Sequence, residues 1–136
     1  MKIIAIDYGK KRSGIAETDD LQLIASPLTT VETEGLMDFL EKYLAQNKVE
    51  TLVIGEPLRE DGGYNEIEKD IRAFIKRLRK KFPGLHIDRE DERYTSKLAV
   101  EAMVKGGVPK KKRRRKGMTD KVSAALILQD YLNRKP

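Results

Sequence analysis

Apolar runs separated by short polar turns predict the first half of a β-sheet. Residues 2–7 (KIIAID) form a short run rich in β-branched side chains, which indicates a buried strand. Segments 12–18 and 21–31 follow across short polar turns, so we predict three consecutive antiparallel strands. Pro27 in the third strand is suited to a sheet edge or a bulge, because proline has no N–H to donate.

Helical and extended patterns then alternate along the chain. Thr33 is predicted to cap a helix whose apolar positions between 36 and 44 recur at helical spacing. Residues 51–55 predict a second buried strand, and the apolar positions of 67–78 predict a second amphipathic helix. Residues 85–91 (LHIDRED) predict a charged strand, which a sheet tolerates mainly at its edge.

The C-terminal part of the chain adds two more helices to this order. One is predicted from 95–96 to 106–107, and Thr119 is predicted to cap the last. The element order implies a mixed α/β sheet with helices packed on its faces. No repeat or long linker divides the sequence, so we expect a single domain over residues 1–136.

Composition narrows the classes of protein and site. The 136 residues contain no cysteine, which excludes disulfides and thiolate metal sites and favours a reducing compartment. No apolar stretch has the roughly 18 residues of a membrane span, and the N-terminus lacks a signal-peptide pattern. We therefore expect a cytoplasmic protein without membrane contact.

Basic residues are concentrated in one run. The net charge is +6, and residues 110–116 (KKKRRRK) carry +7, so the remainder of the chain sums to −1. A local cluster of this kind indicates a binding element for phosphates, although a solvated loop or a targeting tag is an alternative. No aromatic residue interleaves with the run, so base stacking is not indicated. The predicted phosphate contacts here are Lys110, Lys111, Lys112, Arg113, Arg114, Arg115 and Lys116.

Three carboxylates stand at turning points of the predicted layout. Asp7 ends the first strand, Glu92 follows the last strand, and Asp120 opens the final helix. Ligands of open α/β sheets collect at the carboxyl ends of strands, and clustered carboxylates are usually relieved by a hard divalent cation. Oxygen ligands favour Mg²⁺ or Mn²⁺ over zinc. Taken singly, Asp120 also fits helix capping, and Glu92 also fits a solvated edge charge.

Four ordered motifs resemble the signature blocks of the YqgF (RuvX) family. They are IDYGKKRSGIA, VIGEPLREDG, DERYTS and TDKVSAALILQDYL, and together they run from residue 6 to residue 132. The resemblance implies an RNase H-like fold: a five-stranded mixed sheet, three strands antiparallel and then two parallel, with helices on both faces. It also implies nuclease activity. Members of the family are described as Holliday junction resolvases and as nucleases that act on the 5′ end of pre-16S rRNA.

The resemblance assigns roles to residues of this chain. Asp7, Glu92 and Asp120 stand at the positions that the family is thought to use for catalysis and metal. Glu56 departs from the family, which usually has an apolar residue there. We expect it either as a fourth acidic group at the metal or as a solvent-facing loop charge.

A metal-dependent nuclease needs phosphate contacts beside its carboxylates. One or two ions of Mg²⁺ or Mn²⁺ would act on the phosphodiester, without a covalent enzyme intermediate. Besides the basic run, the predicted contacts with the phosphate backbone are Gly9, Lys10, Lys11, Arg12 and Arg93.

Several functions stay open at this point. We expect structured RNA as the partner before a DNA junction, with ribosomal precursor particles as a possible setting, and a monomer or weak homodimer. A binding protein of ribosome assembly without catalysis is the alternative of another class. A nucleotide-binding module is disfavoured, because actin-like ATPases need two such domains around a cleft.

Overall fold

The computed structural model describes residues 1–57, 63, 66–91 and 118–134, which form a sheet and three helices. The strands are β1 (Lys2–Asp7), β2 (Arg12–Thr18), β3 (Ala25–Glu32), β4 (Val49–Glu56) and β5 (His86–Asp91). The helices are α1 (Leu36–Gln46), α2 (Glu68–Lys81) and α3 (Met118–Arg134), and a 3₁₀ turn over Thr33–Gly35 precedes α1. No helix in the described part of the chain is long and apolar enough to span a membrane.

The five strands form one mixed sheet in the order β3-β2-β1-β4-β5. The β1–β2 and β2–β3 pairs are antiparallel, and the β1–β4 and β4–β5 pairs are parallel. This confirms the predicted sheet. The charged strand β5 lies at one edge, and Pro27 lies on the other edge strand, next to a register shift. Both positions agree with the constraints that the sequence imposes.

Helices cover both faces of the sheet, because the buried strands carry apolar side chains on both sides. Ile4 and Ile6 belong to the apolar cluster that includes α1 and α2. Ile3 and Ala5 belong to the cluster on the α3 face. Alternation with a period of two therefore fixes which face each residue of β1 presents.

The third strand begins later than the sequence pattern predicts. The carboxylate of Asp19 accepts hydrogen bonds from the backbone N–H groups of Leu23 and Ile24, each at 2.8 Å. Gln22 has a positive φ of 58° within the same turn. The predicted start at residue 21 is wrong, because this side-chain capped turn postpones the strand until Ala25.

The predicted helix starts also need correction. Thr33 does not cap α1, because its hydroxyl donates to the carbonyl of Gly9 at 2.7 Å and the helix begins only at Leu36. Thr119 lies inside the first turn of α3, which begins at Met118. The helix predicted over 95–107 lies outside the described residues.

A buried ion pair connects α2 to the edge of the sheet. Glu68 is 4% exposed at the start of α2. Arg89 of β5 donates to both of its carboxylate oxygens, at 3.0 and 2.7 Å. The same guanidinium donates to the carbonyls of Ile54 and Gly55 at the end of β4. One side chain therefore fixes β4, β5 and α2 relative to each other, and bidentate geometry makes the contact specific.

This pair predicts a pH-dependent stability. The hydrogen bond from Arg89 is the largest of the effects that lower the pKa of Glu68 below its ordinary 4.5. A lowered pKa gives stability that is present above the ordinary value and is lost as pH falls through the lowered value. We expect Glu68→Gln to lower the free energy of unfolding by about 2 kcal/mol at pH 7, because Arg89 loses its hydrogen bonds to a charged carboxylate.

Urea unfolding between pH 7 and pH 3 measures this. The difference in free energy of unfolding between wild type and Glu68→Gln should narrow below pH 4.5. Glu66 is exposed, so the control Glu66→Gln should have the wild-type free energy of unfolding at every pH. A difference that stays constant down to pH 3 would show that the charge of Glu68 contributes nothing.

Candidate active site

Asp7 ends the central strand of the sheet and faces α3. Ile3 and Ala5 of the same strand pack in the α3 cluster, so alternation with a period of two directs Asp7 to that face. Tyr8 packs on the other face, with its ring centroid 5.4 Å from that of Phe74 in α2. Asp7 is half-buried at the carboxyl edge, where ligands of open α/β sheets collect.

Gly14 brings Asp120 to the same place. Gly14 is the β2 partner of Asp7 in the antiparallel register. A Cβ on Gly14 would lie 1.9 Å from the carbonyl oxygen of Asp120 and 2.7 Å from the amide nitrogen of Lys121. The first turn of α3 thus crosses directly over Gly14, and only glycine permits this approach. The backbones of Asp7 and Asp120 therefore flank the same residue.

Arg12 pairs with Asp120 across this contact. Its Nε lies 3.3 Å from Oδ2 of Asp120, and the two side chains are 37% and 30% exposed. A pair with this exposure contributes at most about 1 kcal/mol to stability. Arg12, predicted as a phosphate contact, therefore neutralises part of the carboxylate charge and helps to hold the start of α3 on β2.

A small hydrogen-bond network holds the turn between β1 and β2. The hydroxyl groups of Ser13 and Thr33 lie 2.8 Å apart, and Thr33 donates to the carbonyl of Gly9. The N–H of Gly9 donates to Ser13 at 3.4 Å, and the N–H of Thr33 donates to the carbonyl of Lys11 at 2.9 Å. The turn is thus tied to the segment that precedes α1, and it presents Lys10 and Lys11 to solvent.

The predicted basic residues of this turn share a cleft. Lys10, Lys11 and Arg12 line a space of about 260 Å³ together with Glu32 and Glu34. The structure therefore brings the three cations together, and Arg12 connects this cleft to Asp120. The two glutamates reduce the positive potential on the β3 side of the cleft.

Glu56 lies on a different face from Asp7. Leu52 and Ile54 of β4 pack in the α1 and α2 cluster, while Val53 packs in the α3 cluster. The same alternation directs Glu56 toward α2. Its β5 partner in the register is Asp91. The structure thus brings two of the predicted acids to the α3 face, and Glu56 is not one of them.

The remaining predicted site residues lie outside the described part of the chain. They are Glu92, Arg93 and the basic run over 110–116. Among the described residues, no group of three histidine, cysteine or carboxylate side chains is arranged to hold a metal ion. Asp7 and Asp120 supply two oxygen-donor side chains of the predicted set.

The sequence interpretation missed the role of two residues that shape the site. Ser13 and Thr33 hold the basic turn through their hydroxyl groups, yet a serine within a strand and a threonine before a helix have no distinctive pattern. The start of α3 fills the space beside Gly14, a contact that the sequence pattern does not indicate.

Ser123 lies about one turn after Asp120 in α3. It is fully buried, and its hydroxyl has no hydrogen-bond partner in the described part of the chain. An unpaired buried hydroxyl lowers stability by about 1 kcal/mol or more relative to an apolar side chain.

The contact at Gly14 predicts a specific defect. In Gly14→Ala the new methyl group meets backbone atoms of Asp120, which cannot move aside as a flexible side chain would. We expect a loss of about 3 kcal/mol in the free energy of unfolding, and displacement of the start of α3. Gly35→Ala is the matched control, because a Cβ there meets nothing within 4 Å.

Urea unfolding gives the free energies of both variants, and amide NMR shifts of residues 118–124 report the position of the helix start. Equal stability of the two alanine variants would contradict the assigned contact.

The chain matches a known family over nearly its whole length. Residues 1–134 match the RuvX family, which is described as Holliday junction resolvase. A protein of Christiangramia forsetii named "Putative pre-16S rRNA nuclease" is 50% identical over 131 residues, which cover 96% of this chain and 97% of that protein. A Flavobacterium johnsoniae protein of the same name is 47% identical over 134 residues, 98% of this chain and 97% of that protein.

A solved structure supports the fold independently of sequence identity. The fowlpox virus Holliday junction resolvase superposes with a TM-score of 0.63 at 11% identity, covering 99% of this chain and 100% of that one. The likeness confirms the RNase H-like fold that the sequence motifs imply. The family prediction is confirmed as well, and the chain belongs to the RuvX (YqgF) family.

Proposed function

We propose that this protein is a metal-dependent nuclease that hydrolyses phosphodiester bonds in structured nucleic acid, with the 5′ end of pre-16S rRNA as its substrate. The observation that carries the proposal is the meeting of Asp7 and Asp120 on the two sides of Gly14. This pair of acids lies at the carboxyl end of the central strand, beside the cleft lined by Lys10, Lys11 and Arg12. Membership of a family of nucleic-acid hydrolases supports the reaction class.

The donor chemistry fits a hard divalent cation. Asp7 and Asp120 offer only carboxylate oxygens, which suit Mg²⁺ or Mn²⁺. When bound, such an ion supplies Lewis-acid stabilisation of the charge that develops on the phosphate oxygens. Arg12 is the residue that balances the charge of Asp120 in the structure, so it limits the repulsion between the two acids.

Glu92 enters the proposal from the sequence. Asp88 of β5 accepts a hydrogen bond from Tyr131 of α3 at 3.0 Å, and Glu90 pairs with Arg134 at 2.7 Å. Alternate residues of this strand therefore meet α3, and Glu92 is the next member of that series in the sequence. We propose it as the third acid, and we leave Glu56 out because β4 directs it to the opposite face.

The basic residues of the turn would hold the phosphate backbone. Lys10 and Lys11 are exposed on a turn that its own hydrogen bonds fix, so they attract phosphate without ordering a mobile segment. Arg93 and the run over 110–116 are proposed as further phosphate contacts from their charge alone.

A histidine base plays no part in the proposed reaction. His86 is the one histidine of the chain, and it lies at the start of β5, beside Thr51. Thr51 pairs with Ile3, four residues before Asp7 on β1. At about 3.3 Å per residue, this places His86 about 13 Å from the carboxyl edge.

A DNA junction is the second candidate substrate, because the family is described as Holliday junction resolvase. The relatives at 44–50% identity carry the name of a pre-16S rRNA nuclease instead, which favours RNA. Structured RNA and a four-way DNA junction both present converging phosphate backbones, so the acidic pair and the basic turn suit either of them.

A cleavage assay tests the proposal. The protein is incubated with a 5′-extended 16S rRNA fragment or with a four-way DNA junction, in Mg²⁺, Mn²⁺ or EDTA. We expect metal-dependent cleavage of the RNA, and a loss of at least about 100-fold in Asp7→Asn and in Asp120→Asn. The control is Asp38→Asn, an exposed aspartate of α1, which should cleave as wild type does.

The melting temperature in EDTA separates a functional from a structural role. Asp7→Asn should melt at or above the wild-type temperature, because the substitution removes one of two neighbouring negative charges. Cleavage of the junction alone would assign the DNA substrate. Absence of cleavage of both substrates in every metal would favour a binding protein without catalysis.

A further inference from the structure

Helix α2 is strongly basic, although the chain outside residues 110–116 sums to −1. Its 14 residues include seven basic and two acidic side chains, a net charge of +5. The apolar positions of α2 are buried against the sheet, so the basic residues occupy its exposed sides. The net charge of the whole sequence does not reveal this local cluster. Positive charge is therefore not confined to the run over 110–116.

The two exposed sides of α2 differ. On one side the Arg77 guanidinium lies 5.6 Å from the ring centroid of Phe74, and Lys81 pairs with Glu41 of α1. On the other side Lys69, Arg72, Lys76 and Arg79 follow one another at spacings of three, four and three residues, which places them on one face. We call these four residues the α2 basic face. It extends about 15 Å along the helix axis.

A groove runs between this face and the edge strand. It has a volume of about 300 Å³ and is lined in the described part of the chain by Arg72, Ile75, Lys76 and Arg79 of α2 with Arg89 of β5. Arg72 and Arg89 both bond the buried carboxylate of Glu68, so one negative charge is shared by two guanidinium groups. The described lining of the groove contains four cationic side chains and no carboxylate. Lys76 and Arg79 form no ion pair with a described carboxylate.

The α2 basic face begins beside the β1–β2 turn, which carries Lys10. Lys10 of the β1–β2 turn lines a cavity of about 710 Å³ together with Glu66, Lys69, Asp70 and Arg72 at the start of α2. Cations thus continue from the β1–β2 turn to the far end of the helix, across a cavity whose lining also contains three acids, Glu66, Glu68 and Asp70. A nucleic acid held at Lys10 would reach the α2 basic face without leaving the protein surface.

We propose that the α2 basic face binds the phosphate backbone of a second segment of structured nucleic acid, a helical arm beyond the bond that is cleaved. The inference rests on the proposed nuclease function and adds a second contact surface to it. A straight row of evenly spaced cations suits the regular row of phosphates of a duplex arm. The apolar positions of α2 are buried, so the helix has no apolar face for insertion into a lipid surface.

Two charge-matched double variants on the same helix test the proposal. Lys76→Gln with Arg79→Gln alters the α2 basic face, and Lys81→Gln with Arg77→Gln removes the same charge from the other side. Binding of each to a fluorescent 20-base-pair RNA duplex is measured by anisotropy in EDTA, over a range of salt concentration. Melting temperatures verify that both variants are folded.

We expect the Lys76 and Arg79 variant to bind severalfold more weakly, with a log–log salt slope smaller by about 1.5 to 2 for two lost phosphate contacts. The Arg77 and Lys81 variant should keep the wild-type slope. Equal affinity and equal salt slope in the two variants would overturn the proposal, because the loss of binding would then depend only on net charge. Binding of wild type to anionic vesicles or to polyglutamate, but not to the duplex, would overturn it as well.

The outcome is independent of cleavage, because EDTA removes the metal. If the protein cleaves neither substrate but the Lys76 and Arg79 variant loses duplex binding, the proposed binding surface is supported and the proposed nuclease function is contradicted. If the protein cleaves in a metal-dependent manner but both double variants bind the duplex equally, the nuclease function is supported and the proposed binding surface is contradicted.

Discussion

The approach of α3 to Gly14 is the contact on which the site depends. A helix start can come within bonding distance of a strand only where the strand has no side chain. Because Gly14 is also the register partner of Asp7, this single contact determines that Asp120 lies beside the end of the central strand. The ion pair between Arg12 and Asp120 adds a second link at the same point.

The sequence predicts the sheet well, because the buried strands have a strong local pattern. The run from Ile3 to Ile6 is apolar on both faces, which indicates a strand buried on both sides, and the charges from Asp88 to Asp91 suit an edge. The start of β3 could not be predicted, since it depends on hydrogen bonds between the side chain of Asp19 and two backbone N–H groups. The prediction that Thr33 caps a helix failed for the same reason, because its hydroxyl donates to the carbonyl of Gly9 instead.

The sequence nominates residues for the candidate site but does not predict their geometry. Asp7 and Asp120 follow from their places at the end of a strand and the start of a helix, and from the family motifs. That they meet at Gly14 is a tertiary fact. Glu56 shows the limit, since its position after a buried strand suggested the site, while alternation along β4 directs it toward α2. The basic residues of α2 can be counted in the sequence. Only the structure, by showing which apolar positions are buried, shows which of these basic residues share an exposed face.

The most direct test of the account measures metal binding in the absence of nucleic acid. Mn²⁺ affinity, determined by EPR of the free ion, is compared for wild type, Asp7→Asn, Asp120→Asn and the double variant. If both carboxylates hold the same ion, each single substitution weakens binding at least about tenfold, and the double substitution adds less than the sum of the two losses. Wild-type affinity in either single variant, or losses that add independently, would contradict the claim that Asp7 and Asp120 form one site.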